Sequence, residues 1–221
     1  MTETRHPIDP GRLHVLTDVH IQERFGHLEL AGFAAAGGAD VVQYRDKGSL
    51  TTRELLGMAK AIRDVLDSTS CRLIVDDRAD VALAVAAAGV HLGRNDLPVA
   101  TARRMLGADV IIGGTANSLE EAQAVAATGV DYLGVGPIYG TRTKADPAPV
   151  MGLETLAAIV QAVGIPVIAI GSITADRIGE VMATGAYGVA VVSAVVNDAD
   201  PVAATLRCRE ALDAALARSH P

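Results

Sequence analysis

Tryptophan is absent from this chain of 221 residues, and aromatics make up only 3% of it. The core must then be built from Ala, Val, Ile and Leu, which suit parallel strands buried on both faces. Positive charge is in deficit, with 19 Lys and Arg against 26 Asp and Glu and a net charge of −7. With no basic stripe and few rings for stacking, a nucleic acid is not an expected partner. An anionic small molecule is still compatible, because charge at a site matters more than the total. There are only two cysteines, Cys71 and Cys208, without metal-ligand spacing. They read as reduced packing thiols of a cytoplasmic protein. The opening MTETRHPIDPGR lacks an apolar h-region, so no signal peptide is expected. The longest apolar run, Val81 to Val90, is about half of what a bilayer span needs.

What the chain has in quantity is glycine after small helix formers. At Gly38, Gly89, Gly107, Gly129, Gly164 and Gly185, a helix-forming run ends and an apolar, β-branched run follows within a few residues. Glycine closes helices at little cost by taking a left-handed conformation. The run that follows is too short for another helix. The alternation predicts parallel strands. Eight are expected: 13–17, 41–45, 73–77, 90–93, 110–114, 132–136, 167–171 and 189–193. A helical segment follows each. The clearest has a capping box of Thr51 and Glu54, and the last runs from about Pro201 to Arg218. Half of the residues are hydrophobic, enough for one large core. The fold class expected is therefore α/β, a (β/α)8 TIM barrel over residues 12–221, with residues 1–11 as a loose arm. A doubly wound open sheet is the alternative, but Thr17-Asp18-Val19-His20 is not its glycine-rich turn.

In such a barrel the active site lies at the C-terminal ends of the strands. Strand two delivers Gln43, Arg45 and Lys47 to one side, with Tyr44 and Asp46 on the other. Strand three ends at Asp76-Asp77-Arg78, strand four at His91 with Asp96 beyond it, and strand five at Gly113-Gly114-Thr115. Strand six stops at Pro137 and releases Thr141, Thr143 and Lys144, two hydroxyls and an ammonium suited to an anion. Strands seven and eight end at Gly171-Ser172 and Val192-Ser193, where many barrels hold a phosphate. Asp77 and Asp96 follow neighbouring strands and face Arg45, Lys47 and Lys144. That set suggests Mg²⁺ shared with a diphosphate. For Asp77 alone, pairing with Arg78 or capping the next helix is the plainer reading. A lone histidine at a strand end is usually a packed residue, so His91 is given no catalytic role.

These motifs resemble thiamine phosphate synthases. The resemblance runs from Leu13 to about Ala214 and is carried by QYRDK (43–47), DDRAD (76–80), GVHLGRND (89–96) and above all GPIYGTRTK (136–144) followed by Gly152. It is carried too by IPVIAIGSI (165–173) and GVAVVSAV (188–195). It implies a transferase that joins an aminopyrimidine bearing a methyl diphosphate to a thiazole monophosphate, releasing pyrophosphate. By position, Gln43, Arg45, Lys47 and Lys144 would hold the diphosphate, and Asp77 and Asp96 would bind Mg²⁺. Thr141, Thr143, Gly171, Val192 and Ser193 would hold the thiazole phosphate. Thr115 would face the pyrimidine, where a serine is usual. Asp76 stands where the family usually has Asn, within the substrate-binding set. Ser172 replaces a usual glycine and is expected to be tolerated only with a negative φ. His14 stands in place of a usual tyrosine. A thiazole tautomerase on the same barrel would use a histidine where Asn117 stands and would lack the TxTK loop. A non-catalytic phosphate-binding barrel is the third reading. A homo-oligomer is left open.

Overall fold

The computed structural model describes residues 8–48, 50–140 and 149–219. Parallel strands close into an eight-stranded barrel in sequence order. They are β1 (Leu13–Thr17), β2 (Val41–Tyr44), β3 (Arg72–Asp76), β4 (Gly89–Leu92), β5 (Ile111–Ala116), β6 (Tyr132–Val135), β7 (Val167–Ile170) and β8 (Gly188–Val191). The helices around them are α1 (His27–Ala36), α2 (Thr52–Leu66), α3 (Ala79–Ala84), α4 (Val99–Leu106), α5 (Leu119–Ala126), α6 (Gly152–Ala162), α7 (Ala175–Ala183), α8 (Ser193–Val196) and α9 (Pro201–Ser219). Every expected strand is present; β1 has the expected bounds, and no end of the others differs by more than two residues.

The alternation along each strand sorts side chains into two cores. Leu16, Val41, Ile74, Ile111, Tyr132, Ile168 and Ala190 fill the lumen. Their neighbours, such as Val15, Val42, Leu73, Val75 and Val189, pack outward against the helices. The capping box of α2 forms as expected: Thr51 Oγ1 accepts from Glu54 N, and Thr51 N donates to Glu54 Oε2 at 2.8 Å. Gly38, Gly107, Gly129 and Gly185 take positive φ at their junctions. Gly89 does not, because Ala86 makes the left-handed turn after α3 at φ 50°. Glycine is needed at 89 for another reason: a Cβ there would sit 2.6 Å from Ile111 O on the neighbouring strand.

The N-terminal end of the barrel is tied by charge. Asp40 Oδ2 accepts from the N–H groups of Arg12 and Leu13, both at 2.8 Å, and pairs with Arg209 of α9. Of the expected arm, residues 8–11 are described. Asp9 accepts from Gly11 N and from the Tyr187 hydroxyl, and Arg72 donates to its carbonyl.

Candidate active site

Strand periodicity carries polar side chains up the lumen to the barrel mouth. There they line one cavity of about 1580 Å³. Gln43, the last inward residue of β2, is buried, and Arg45 and Lys47 continue on its side just past the strand. Tyr44 turns outward, packing edge-on against the His27 ring at 4.8 Å. Asp46 likewise turns away and accepts from His27 Nε2 at 3.2 Å, His20 Nε2 at 3.3 Å and Gly48 N at 2.6 Å. Burial alone would raise the Asp46 carboxyl, but the Gly48 N–H and the two histidines outweigh it and hold it low.

From β3, Asp76 accepts from Gln43 Nε2 at 2.5 Å and lies 3.6 Å from Arg45 Nε. Burial first, and then the charge of Asp77, push its carboxyl up to about 7, against the pull of Lys47 and Arg45. Asp77 takes φ 62°, a left-handed conformation that aspartate tolerates better than most residues. Its carboxylate pairs with Lys47 Nζ, not with Arg78, which pairs with Asp80. Asp96, past β4, accepts from Gly93 N at 2.7 Å and lies within electrostatic reach of Asp77. Burial raises its pKa, and the neighbouring Asp77 adds to the rise.

Deeper in the lumen, His91 lies between the Tyr132 hydroxyl at Nδ1 and Thr115 Oγ1 at Nε2, each at 2.9 Å. Gly113 and Gly134 leave room for this pair. A Cβ at 113 would sit 2.2 Å from Tyr132 Cζ, and one at 134 would sit 2.8 Å from His91 Cε1. His14 stands edge-on to Tyr132 at 5.4 Å. Its Nε2 donates to Pro10 O at 3.0 Å, and burial depresses its pKa to about 4.

Gly171, Ser172, Val192 and Ser193 line the opposite side of the same cavity. Gly171 has φ 113°, and a Cβ there would collide with Pro137 Cα at 2.6 Å. Ser172 corrects the expectation of a negative φ: it takes φ 50°. Two successive left-handed residues turn the chain against Pro137, and Arg177 of α7 holds the Ser172 carbonyl at 2.9 Å. Asn117 donates to Gly136 O, so its amide pins the end of β6.

Ten expected site residues thus share one cavity: Gln43, Arg45, Lys47, Asp76, Asp77, Asp96, Thr115, Gly171, Val192 and Ser193. Thr141, Thr143 and Lys144 lie outside the described residues. Sequence reasoning passed over the end of β1. Asp18 there is buried and paired with Arg45, and His20 lies on the cavity wall. The signal was available, since Thr17 closes β1 and these residues follow at the catalytic end. Among the described residues, no group of three or more His, Cys, Asp or Glu is placed to hold a metal ion.

The family described as thiamine monophosphate synthase matches residues 13–195. The chain belongs to this family. It is 47% identical over 206 residues to a thiamine-phosphate synthase of Salinibacter ruber, covering 93% of this chain and 90% of the relative. It is also 47% identical to one of Methanoculleus marisnigri, covering 93% and 97%. A solved structure of thiamine phosphate pyrophosphorylase from Pyrococcus furiosus superposes with a TM-score of 0.84 at 40% identity, covering 93% and 96%. A 3-hexulose-6-phosphate synthase at 20% identity and a TM-score of 0.67 shares the fold alone. The protein is accordingly a transferase on a (β/α)8 barrel, acting on small molecules. Among the described residues no helix is long and apolar enough to cross a membrane.

Proposed function

We propose how a thiamine-phosphate synthase reaction runs on this barrel. The reaction condenses an aminopyrimidine methyl diphosphate with a thiazole phosphate, giving thiamine phosphate and pyrophosphate. The bond between the pyrimidine methylene carbon and the bridging oxygen breaks, and its electron pair leaves with the diphosphate. The thiazole nitrogen then forms the new carbon–nitrogen bond to the pyrimidine-stabilised cation. No protein nucleophile is needed. The protein's task is to stabilise charge on the departing group with preorganised cations and dipoles, which is worth several kcal/mol.

The observation that carries this reading is the two-ended cavity. One end holds Gln43, Arg45, Lys47, Asp76, Asp77 and Asp96, and the other Gly171, Val192 and Ser193. Arg45 is held between Asp18 and Asp76, and Lys47 by Asp77, so both cations are already aimed before substrate arrives. Thr115, bonded to His91, presents a hydroxyl for the pyrimidine. Gly171, Val192 and Ser193 line the end proposed for the thiazole phosphate. Thr141, Thr143 and Lys144 are proposed to complete the two anion sites.

Asp77 and Asp96 suit Mg²⁺. Besides burial, the negative charge of Asp77 raises the pKa of Asp96, and a cation between the two would relieve that repulsion. A hard divalent ion prefers one or two carboxylates with phosphate and water oxygens. When bound, it would take up negative charge that develops on the diphosphate. The buried thiols Cys71 and Cys208 fit a reducing compartment, and the cytoplasm is the proposed location.

Pyrophosphate release with both substrates, with and without Mg²⁺, tests the reading. Release is expected only with both substrates and the metal. Lys144→Ala and Asp96→Ala should each cut it by a hundredfold or more. Full activity in either variant would overturn the assignment of that residue.

A further inference from the structure

His20 reaches the diphosphate end from a direction that the reading above leaves unused. Its side chain lies on the cavity wall at 46% exposure. Its backbone N–H donates to Asp18 Oδ1 at 3.0 Å, and Asp18 is the partner of Arg45. Its Nε2 lies 3.3 Å from Asp46 Oδ1, on the residue between Arg45 and Lys47. An ionised carboxylate only accepts, so His20 Nε2 carries the hydrogen. Among the described residues none hydrogen-bonds Nδ1. Gly48 packs against this ring, and a Cβ there would come within 3.0 Å of His20 Cε1.

Asp46 is itself fixed. It also accepts from Gly48 N and from His27 Nε2, and His27 Nδ1 meets Thr17 Oγ1 at 2.9 Å. The carboxylate that orients His20 is thus anchored to both β1 and α1. The charge balance gives His20 something to do. Asp18, Asp76, Asp77 and Asp96 gather around the two cations Arg45 and Lys47. Beside Arg45, Lys47 and the Mg²⁺ and Lys144 proposed above, a further cation on the wall adds to the positive charge that a polyanionic substrate meets.

We infer that His20, oriented by Asp46, is a further substrate-contacting residue, which as imidazolium donates a hydrogen bond from Nδ1 to a diphosphate oxygen. Asp46 is then a positioning residue that aims the ring. The groups facing His20 are Asp18 from the end of β1, Arg45, Asp46 and Lys47 from the loop after β2, and His27 of α1 beyond Asp46. This inference rests on the diphosphate reading above.

The test uses the full chain. Pyrophosphate release by the unaltered protein comes first, and its absence with both substrates and Mg²⁺ would overturn the parent reading itself. Given release, His20→Gln is compared at pH 6.0 and 8.5. Glutamine keeps an N–H for Asp46 but cannot take a charge. The KM for the pyrimidine diphosphate is expected to rise about fivefold at pH 6.0 and to return to that of the unaltered protein at pH 8.5. The KM for thiazole phosphate should not change at either pH. Calorimetry with inorganic pyrophosphate and Mg²⁺ reads the same contrast without turnover. A ratio equal at both pH values, or an equal rise in both KM values, would overturn the role of His20.

Discussion

Gln43 Nε2 donates to Asp76 Oδ1 at 2.5 Å, so the carboxylate that replaces the family's usual asparagine is held by a neutral amide. An asparagine oxygen could accept the same bond without adding negative charge beside the diphosphate. Asp76→Asn is therefore expected to keep activity within about threefold of the unaltered protein, or to raise it. Pyrophosphate release checks this. A hundredfold loss would mean that the carboxylate acts in its own right.

Besides burial, Asp77 raises the pKa of Asp96, a repulsion that a divalent ion would relieve. Chelation should abolish turnover, and Mg²⁺ should restore it. In Asp96→Asn the Mg²⁺ concentration for half-maximal rate is expected to rise about tenfold or more, with little change in the melting temperature. A metal response identical to that of the unaltered protein would remove Asp96 from the site.

His14 makes folding sensitive to acid. Its ordinary pKa is 6.5, and burial lowers it to about 4 in the folded state. Between those values the unfolded chain binds a proton that the folded chain refuses. This stability is fully present above about pH 6.5 and is lost progressively as the pH falls toward 4. The total is about 3 kcal/mol. Denaturant unfolding at pH 7.0, 5.5 and 4.5 should show the decline. His14→Gln, which keeps a donor for Pro10 O, should flatten its share of the slope.

Gly113 is where the lumen has no space to give. A methyl there meets Tyr132 Cζ at 2.2 Å and His91 Nδ1 at 2.5 Å. Gly113→Ala is expected to cost about 2–3 kcal/mol and to displace the His91 ring from Thr115. Thermal unfolding and the KM for the pyrimidine substrate both report on it. An alanine variant as stable as the unaltered protein would show that the ring pair shifts freely.

Ser172 at φ 50° stores backbone strain that glycine would not. Ser172→Gly should stabilise the protein by about 0.5–1 kcal/mol after the added flexibility of the unfolded chain is subtracted. Denaturant titration would settle the sign.

The barrel was legible because its signals are local. Helix-closing glycines, short β-branched runs and the Thr51–Glu54 box each act over a few residues, and period-two alternation assigned Gln43, Arg45 and Lys47 to one side. Asp18 and His20 could be placed at the catalytic end of β1, but their partners could not, because nothing near them in the chain points to Arg45 and Asp46. The φ of Ser172 was misjudged for a similar reason. A serine at a strand end carries no local mark of the contact between Gly171 and Pro137 that turns the backbone over.

By itself the sequence determined the element types, their order, and which polar residues would stand at the ends of strands, since these follow from chain periodicity and residue chemistry. Tertiary structure alone decided which carboxylate pairs with which cation. It made Lys47 the partner of Asp77, Asp18 the partner of Arg45, and Gln43 the donor to Asp76. Such pairings are fixed when the sheet closes and brings residues about thirty positions apart within a few ångströms at the barrel mouth, where Asp18, Arg45 and Asp76 are largely shielded from water and Lys47 is half exposed.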